Sequence, residues 1–259
     1  MTLVSVLTQA PGLPSRSALD AAVRELLPDV SLDWRESPRG YCLGLAGATV
    51  RLASIPGPVP NAEADTSAFL SLSALGGRWR LGPHAAHVAI SLDGAMQAKA
   101  SGVLSRLAGA SREATTLERL STFTRLVAAV TKSVAGLGVH WAAGPVTHAP
   151  DFFLQVAKDA PLPLPLWVGV SVTPEEGSRS SLLSFGMAQL GLPDLLLDAP
   201  SKDLEDAADF FFSALATIAE RGRPPDDGET IPRSLLSRPK VRYAPSPVDA
   251  KSRVWKLTL

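Results

Sequence analysis

Four imidazoles, one thiol and a scatter of carboxylates are the side chains of this sequence best equipped to do chemistry. His140 and His148 are the pair with most to offer. A turn around Gly144-Pro145 would fold them together, with Asp151 or Asp159 as a carboxylate neighbour. Two imidazoles and one carboxylate suit zinc or non-heme iron, or acid–base work on a small substrate. Arg242 and Tyr243 would then hold an anionic group of that substrate. Nothing at motif spacing supports a metal centre, so neither metal nor other cofactor is expected. His84 and His87 are three apart in a segment of period two, which sends them to opposite faces of a strand and out of reach of one ion.

Nucleophiles fare no better. The elbow G-x-S-x-G is missing, and Ser184-Phe185-Gly186 is only a fragment of such a turn. Cys42 lies between Tyr41 and Leu43 in an apolar strand, the setting of an inert thiol. Neither Gly44-Leu45-Ala46-Gly47 nor Gly76-Gly77 leads into a helix, as a phosphate loop must. Asp194, Asp198, Asp203 and the Asp226-Asp227 pair read as loop and helix-start residues, without the interleaving of a calcium loop. Trp141, Trp167, Trp255 and the Phe152-Phe153 pair are the residues available to line a binding pocket, the competing reading being that they are core.

The elements that must position these groups follow from periodicity. Residues 3–8 form an apolar, β-branched strand, and Ser15 caps a helix over 16–27 with Leu19, Val23, Leu26 and Leu27 on one face. Residues 31–36 and 41–55 read as strands around a Pro38-Arg39-Gly40 turn, with a further bend at Gly44 or Gly47. The run Ile55-Pro56-Gly57-Pro58-Val59-Pro60 reads as a stiff exposed connector. In 84–92, Ala86, Val88, Ile90 and Leu92 alternate with polar or small residues, as a strand with one buried face requires. Residues 94–110 form a helical excursion or a loop. Thr115 or Thr116 caps a helix running to Val134. A short strand at 139–142, a helix at 151–158, a strand buried on both faces at 166–172, its hairpin partner at 181–187, a helix at 202–221 capped by Ser201, and strands at 240–243 and 253–259 complete the chain.

Strands recur in pairs without strict β-α alternation, which predicts an α+β fold with mixed or antiparallel sheets and helices packed on one face. Residues 1–80 and 84–259 form its two halves within one compact unit, and both open in a β-α-β-β manner that suggests a pseudo-repeat.

Composition limits the partners. The 259 residues carry 25 Lys plus Arg against 25 Asp plus Glu, so no global field attracts nucleic acid or anionic lipid. Arg233, Arg238, Lys240, Arg242, Lys251, Arg253 and Lys256 make the C-terminal region locally basic, which reads as a solvated face. Lone Cys42 precludes an internal disulfide and suits a reducing compartment. Neither a secretion signal nor a membrane span is evident. A cytoplasmic bacterial protein is expected.

Six segments carry a family resemblance. They are Gly138-Val139-His140-Trp141, residues 146–153 (VTHAPDFF), Pro163-Leu164-Pro165-Leu166-Trp167-Val168, Phe185-Gly186-Met187 through Leu190-Gly191-Leu192, Asp227-Gly228-Glu229-Thr230-Ile231, and residues 241–247 (VRYAPSP). In order and spacing they resemble the bacterial domain of unknown function family 4261, over residues 86–259. The family often has Tyr-Trp where this chain has His140-Trp141, which argues against an invariant catalytic role for His140. The resemblance implies no established activity. Its members' toxin and secretion-system surroundings imply an immunity or accessory role. The expected function is a non-enzymatic protein-binding module with a toxin or effector as partner, offering Trp141, Phe152, Phe153, Trp167, Arg242 and Tyr243. The alternative is a metal-dependent or His/Asp-based enzyme built on His140, His148 and Asp151.

Overall fold

The computed structural model describes residues 1–30, 34–37, 40–45, 48–77, 79–93, 115–233, 237–249 and 251–259. The strand expected at 31–33, the turn at Pro38-Arg39, the bend at Gly47 and the whole 94–110 segment lie outside the described residues. Among those described, the strands form one sheet of seven and one of five, called A and B, and the fold is α+β as expected.

β1 (Thr2–Thr8) is the organising strand of sheet A. It is flanked antiparallel by β5 (Ala86–Asp93) and β6 (Gly138–Trp141). β2 (Trp34–Ser37), β3 (Gly40–Leu45) and β4 (Ala48–Pro56) form a meander that joins β5, and β7 (Val146–His148) closes the other edge. The order is β2-β3-β4-β5-β1-β6-β7. Alternation does what the sequence pattern demands. Val4, Val6, Val88 and Ile90 share a core with Leu19 and Val23 of α1 (Arg16–Leu26) and with Leu120, Phe123 and Val127 of α3 (Thr116–Ser133). The opposite face, with Leu7, packs separately against Val59 and Ala64 of the connector that carries α2 (Glu63–Ser67).

α1 begins at the expected cap Ser15, and α3 at Thr115, the first of its two expected caps. Ser15 Oγ accepts from Ala18 N at 3.3 Å. Thr115 and Glu118 form a reciprocal capping box, Thr115 N donating to Glu118 Oε2 at 2.7 Å and Glu118 N to Thr115 Oγ1 at 3.2 Å. Two such bonds satisfy donors that helix geometry otherwise leaves unmade.

Sheet B follows α4 (Pro150–Asp159) and α5 (Leu164–Trp167). It comprises β8 (Gly169–Glu175), β9 (Arg179–Phe185), β10 (Leu195–Pro200), β11 (Arg242–Pro245) and β12 (Arg253–Thr258), in the order β11-β12-β10-β9-β8. β10 and β12 are parallel and the other pairs antiparallel. α6 (Leu204–Arg221) packs on β9 and β10 and ends at Gly222, whose φ of 63° supplies the left-handed cap. One continuous apolar core runs from Val4 through Trp167 to Leu257. Among the described residues no helix is long and apolar enough to cross a membrane.

Several expectations need correction. The two sheets differ in strand order and only B holds a parallel pair, so no pseudo-repeat is confirmed. Within sheet A, β1 and β4 of residues 1–80 pair with β5 of residues 84–259. The apolar run 166–172 is not a strand buried on both faces. Its first part closes α5, where Pro165 fits the first helical turn, and β8 is an edge strand with Val172 36% exposed. Asp198 lies in β10, a strand the periodicity did not reveal. Ser201 begins a short 3-10 turn and shares a hydrogen bond with Ser180 Oγ at 2.8 Å instead of capping α6. Val59, in the connector expected to be exposed, is buried.

The sheets meet at three glycines. Gly169 N donates to Gly144 O at 3.1 Å, and a Cβ on Gly144 would lie 1.8 Å from Trp167 O. One on Gly186 (φ +116°) would lie 2.5 Å from Gly144 Cα. Backbone cannot yield as a flexible side chain does. Gly144→Ala is therefore expected to cost about 2–3 kcal/mol in chemical denaturation, whereas Gly44→Ala, with nothing within 4 Å of the new methyl, leaves the midpoint within about 0.5 kcal/mol of wild type.

Candidate functional site

His140 lies under a connector that crosses the outer face of sheet A, whereas His148, paired with Val139, projects from the opposite, core-side face at the edge strand β7. His148, on β7, is wholly buried. Its Nδ1 is 2.7 Å from Ser71 Oγ and its Nε2 is 3.2 Å from Leu166 O. A carbonyl only accepts, so Nε2 carries the hydrogen and Nδ1 accepts from the serine. Ser71 Oγ also lies 2.7 Å from Ser73 Oγ, which in turn accepts Ala149 N at 3.0 Å. Phe152 and Phe153 pack on the ring, at 5.6 and 6.1 Å between centroids. Burial pushes His148 down to about 3, the Leu166 hydrogen bond opposing and nearby His140 adding slightly. This imidazole is neutral and fully employed.

His140, on β6 opposite Thr147, is 1% exposed. Its Nδ1 is 3.0 Å from Thr147 Oγ1, and its Nε2 is 3.9 Å from Glu63 Oε1, beyond hydrogen-bond reach. Carboxylate, imidazole and hydroxyl thus stand in the order of a nucleophilic relay. Thr147 is 0% exposed, however, so no substrate reaches its hydroxyl. Burial pushes His140 down to about 4, with His87 and His84 as like-charged neighbours adding to the shift; half-exposed Glu63 does not offset it.

His84 and His87 are not separated by a strand, because β5 begins only at Ala86. Both sit close enough to act on His140, and His87 Nδ1 is 2.9 Å from Gly57 O. Among the described residues no three His, Cys, Asp or Glu side chains are placed to hold a metal ion. Asp151 is exposed in the first turn of α4, where its charge complements the helix dipole while His140 and His148 are sealed below the surface.

The aromatic candidates are buried too. Trp141, Trp167 and Phe153 are 0% exposed. Trp141 stacks obliquely on Trp167 at 6.3 Å and meets Phe123 edge-on at 5.8 Å. Each of these two indoles finds a partner, Trp141 Nε1 donating to Gln189 Oε1 at 2.9 Å and Trp167 Nε1 to Thr124 Oγ1 at 2.8 Å. Half-buried Phe152 lies against His148. Arg242 and Tyr243 belong to sheet B, away from the imidazoles of sheet A. Asp227 binds both, accepting Tyr243 N at 3.0 Å and facing Arg242 Nη1 at 3.5 Å. Tyr243 OH donates to Pro225 O at 3.2 Å, and the Arg253 guanidinium lies 5.7 Å from its ring centroid.

An open feature was not anticipated. A groove of about 690 Å³ runs over the outer face of sheet B, between the β8–β9 turn and the prolines that link β11 to β12. Its floor includes Leu196, Ser181 and Ala244, one wall Glu175, Glu176 and Arg179, the other Pro245 and Pro247. Asp198 and Lys256 pair within it at 2.6 Å, and Glu175 accepts from Ser181 Oγ at 2.8 Å. The only sequence signals were the Glu175-Glu176-Gly177 turn and the basic C-terminal strand.

Burial of two neutral imidazoles makes stability depend on pH. Their folded values lie below the ordinary value near 6.5, so the unfolded chain takes up protons first. Stability is full above about pH 6.5 and falls as the pH drops toward 4 for His140 and toward 3 for His148, at up to about 1.4 kcal/mol per pH unit for each. Denaturant melts between pH 7.5 and 4.5 measure that slope. His148→Phe leaves Leu166 O unpartnered, with an expected cost of about 1–3 kcal/mol at pH 7 and a shallower acid slope. Comparison of the chain with protein-family models, with curated proteins and with solved structures finds no significant match to any of them.

Proposed function

We propose that this chain is a non-enzymatic module that binds a protein partner, of the kind that masks a toxin or effector as an immunity protein or serves a secretion system as an accessory. The observation that carries this reading is the contrast between two places. His140 and His148 are closed off and committed to internal contacts, whereas the sheet B groove is open and rimmed by charge. Among the described residues Glu175 and Glu176 have no cation partner, while Lys256 and Arg242 already face carboxylates. A partner presenting basic side chains would complement that wall. Membership of family 4261 belongs to the same proposal, resting on the six segments quoted above. So does a reducing cytoplasmic location, for which free Cys42 speaks. The enzyme alternative needs an imidazole that substrate can reach, and neither His140 nor His148 is one.

Affinity capture from the native source, with wild type and with Glu175→Lys/Glu176→Lys in parallel, tests the reading. The expected result is one reproducible polypeptide partner whose affinity falls at least about tenfold in the double variant. No reproducible partner, or one bound equally by both proteins, counts against it. Turnover of a small anionic substrate that is lost in His140→Gln would favour the enzyme instead.

A further inference from the structure

The connector between β4 and β5 crosses sheet A in the order of its strands, and it touches each one that it crosses. Gly57 O meets His87 Nδ1 of β5 at 2.9 Å. Val59 and Ala64 pack on Leu7 of β1. Glu63 approaches His140 of β6, with Oε1 at 3.9 Å from Nε2. Ser71 holds His148 Nδ1 of β7 at 2.7 Å, and Ser73 accepts Ala149 N at 3.0 Å. Those strands are neighbours in the sequence β5-β1-β6-β7. Two of the chain's four histidines, His87 and His148, thus hydrogen-bond residues 57–73, His140 lies beneath them without such a bond, and His84 lies close enough to act on His140.

The fastening is polar at His87 and His148 and apolar at Val59, Ala64 and Leu70, the last packed against the main core. Leu7, Val59 and Ala64, with Leu81, form a cluster apart from the main core. The backbone adds strain, since Asn61 and Ala62 stand in succession at φ of 58° and 53°, immediately before Glu63. His140 Nε2 is buried without a hydrogen-bond partner, a state that folding tolerates only while the ring stays neutral.

We propose that residues 57–73 are a strap fastened to sheet A by neutral imidazoles and released from it by acid, ahead of the unfolding of the rest of the molecule. The charged and titratable groups around His140 are Glu63 from α2, His87 from β5, His84 before it and, across the sheet, His148 from β7. His87 and His84 act on His140 as like charges, which adds to the effect of burial. Glu63, with its side chain half in solvent, supplies the single opposing charge shown at this contact. Around His148 are His140 across the sheet, the Ser71 hydroxyl and the Leu166 carbonyl. His140, at about 4, returns toward 6.5 when the strap lifts and water reaches it, while His148 keeps its cover of Phe152, Phe153 and the Leu166 carbonyl. Between pH 7 and pH 5 the open population then rises on the order of 20-fold as this imidazole is bared.

Hydrogen exchange of the full chain at pH 7 and pH 5, corrected for the intrinsic exchange rates, tests this. The amides of Ser71, bound to Ala68 O at 3.2 Å, and Ser73, bound to Ser71 Oγ at 3.1 Å, report the strap. Phe123 and Val127 of α3 report global unfolding. The strap amides are expected to be less protected than α3 at both pH values and to lose at least about 20-fold of protection on acidification. His140→Gln, which keeps a neutral polar group at the site, should reduce the strap's pH dependence by about that factor. Strap amides that share the protection of α3 at pH 5, or that keep their protection unchanged from pH 7, overturn the proposal on wild-type protein alone, whatever the folding of the variant.

Discussion

The contact on which the rest depends is the approach of bare backbone to bare backbone at Gly144. Its carbonyl takes the Gly169 amide, its α-carbon faces Gly186, and the Trp167 carbonyl fills the space a side chain would need. Only glycine permits this, and only this closeness lets the two sheets bury one core between them. Gln189 then ties the seam together. It accepts from Trp141 Nε1 at 2.9 Å and donates to Trp167 O at 2.9 Å and Gly186 O at 2.8 Å, so one amide binds sheet A, α5 and the end of β9. A buried amide with its oxygen and its nitrogen both bonded specifies one arrangement where apolar packing alone would allow several.

The same economy governs the other polar groups. Ser184, in the fragment that resembles a nucleophile elbow, donates to Asp194 Oδ1 at 3.0 Å and accepts Leu195 N at 2.8 Å. Asp194 also accepts Met187 N at 3.1 Å, and burial raises its carboxyl while these hydrogen bonds hold it back. The pair fastens the turn between β9 and β10. His148 and the Ser71–Ser73 hydroxyls fasten the connector, and Thr124 anchors Trp167. Side chains that in an open cleft would be candidates for catalysis here satisfy one another out of reach of solvent. The open groove, rimmed by Glu175, Glu176, Arg179 and Lys256, lies on sheet B and not beside the buried imidazoles.

Local signals were readable and distant ones were not. The caps at Ser15 and Thr115, the alternation of 86–92 and the helices at 16–26 and 116–133 follow from spacing within a few residues, and the structure has them where the pattern places them. β7 is three residues long, too short for a period to emerge, and β10 opens with three consecutive leucines that show no alternation. The run 166–172 misled because apolar content alone does not separate a short buried helix from a strand. For the candidate site, the turn at Gly144-Pro145 joins the strands that carry His140 and His148, but their register places the two imidazoles on opposite faces of sheet A. Their partners come from residues 63, 71 and 166, which no local pattern connects to them. The segments at 138–141, 146–153, 163–168 and 185–192, chosen for their resemblance, include Trp141, His148, Trp167, Gly186 and Gln189. What drew attention in them is the chemistry of the seam and the strap.

The central claim is that the seam makes the two sheets one cooperative unit. Native-state hydrogen exchange across a denaturant series compares α3, packed on sheet A, with α6, packed on sheet B. The account predicts that the most protected amides of both helices merge into a single unfolding isotherm with one opening free energy. Exchange of α6 through a separate opening of lower free energy, with α3 still closed, would contradict it.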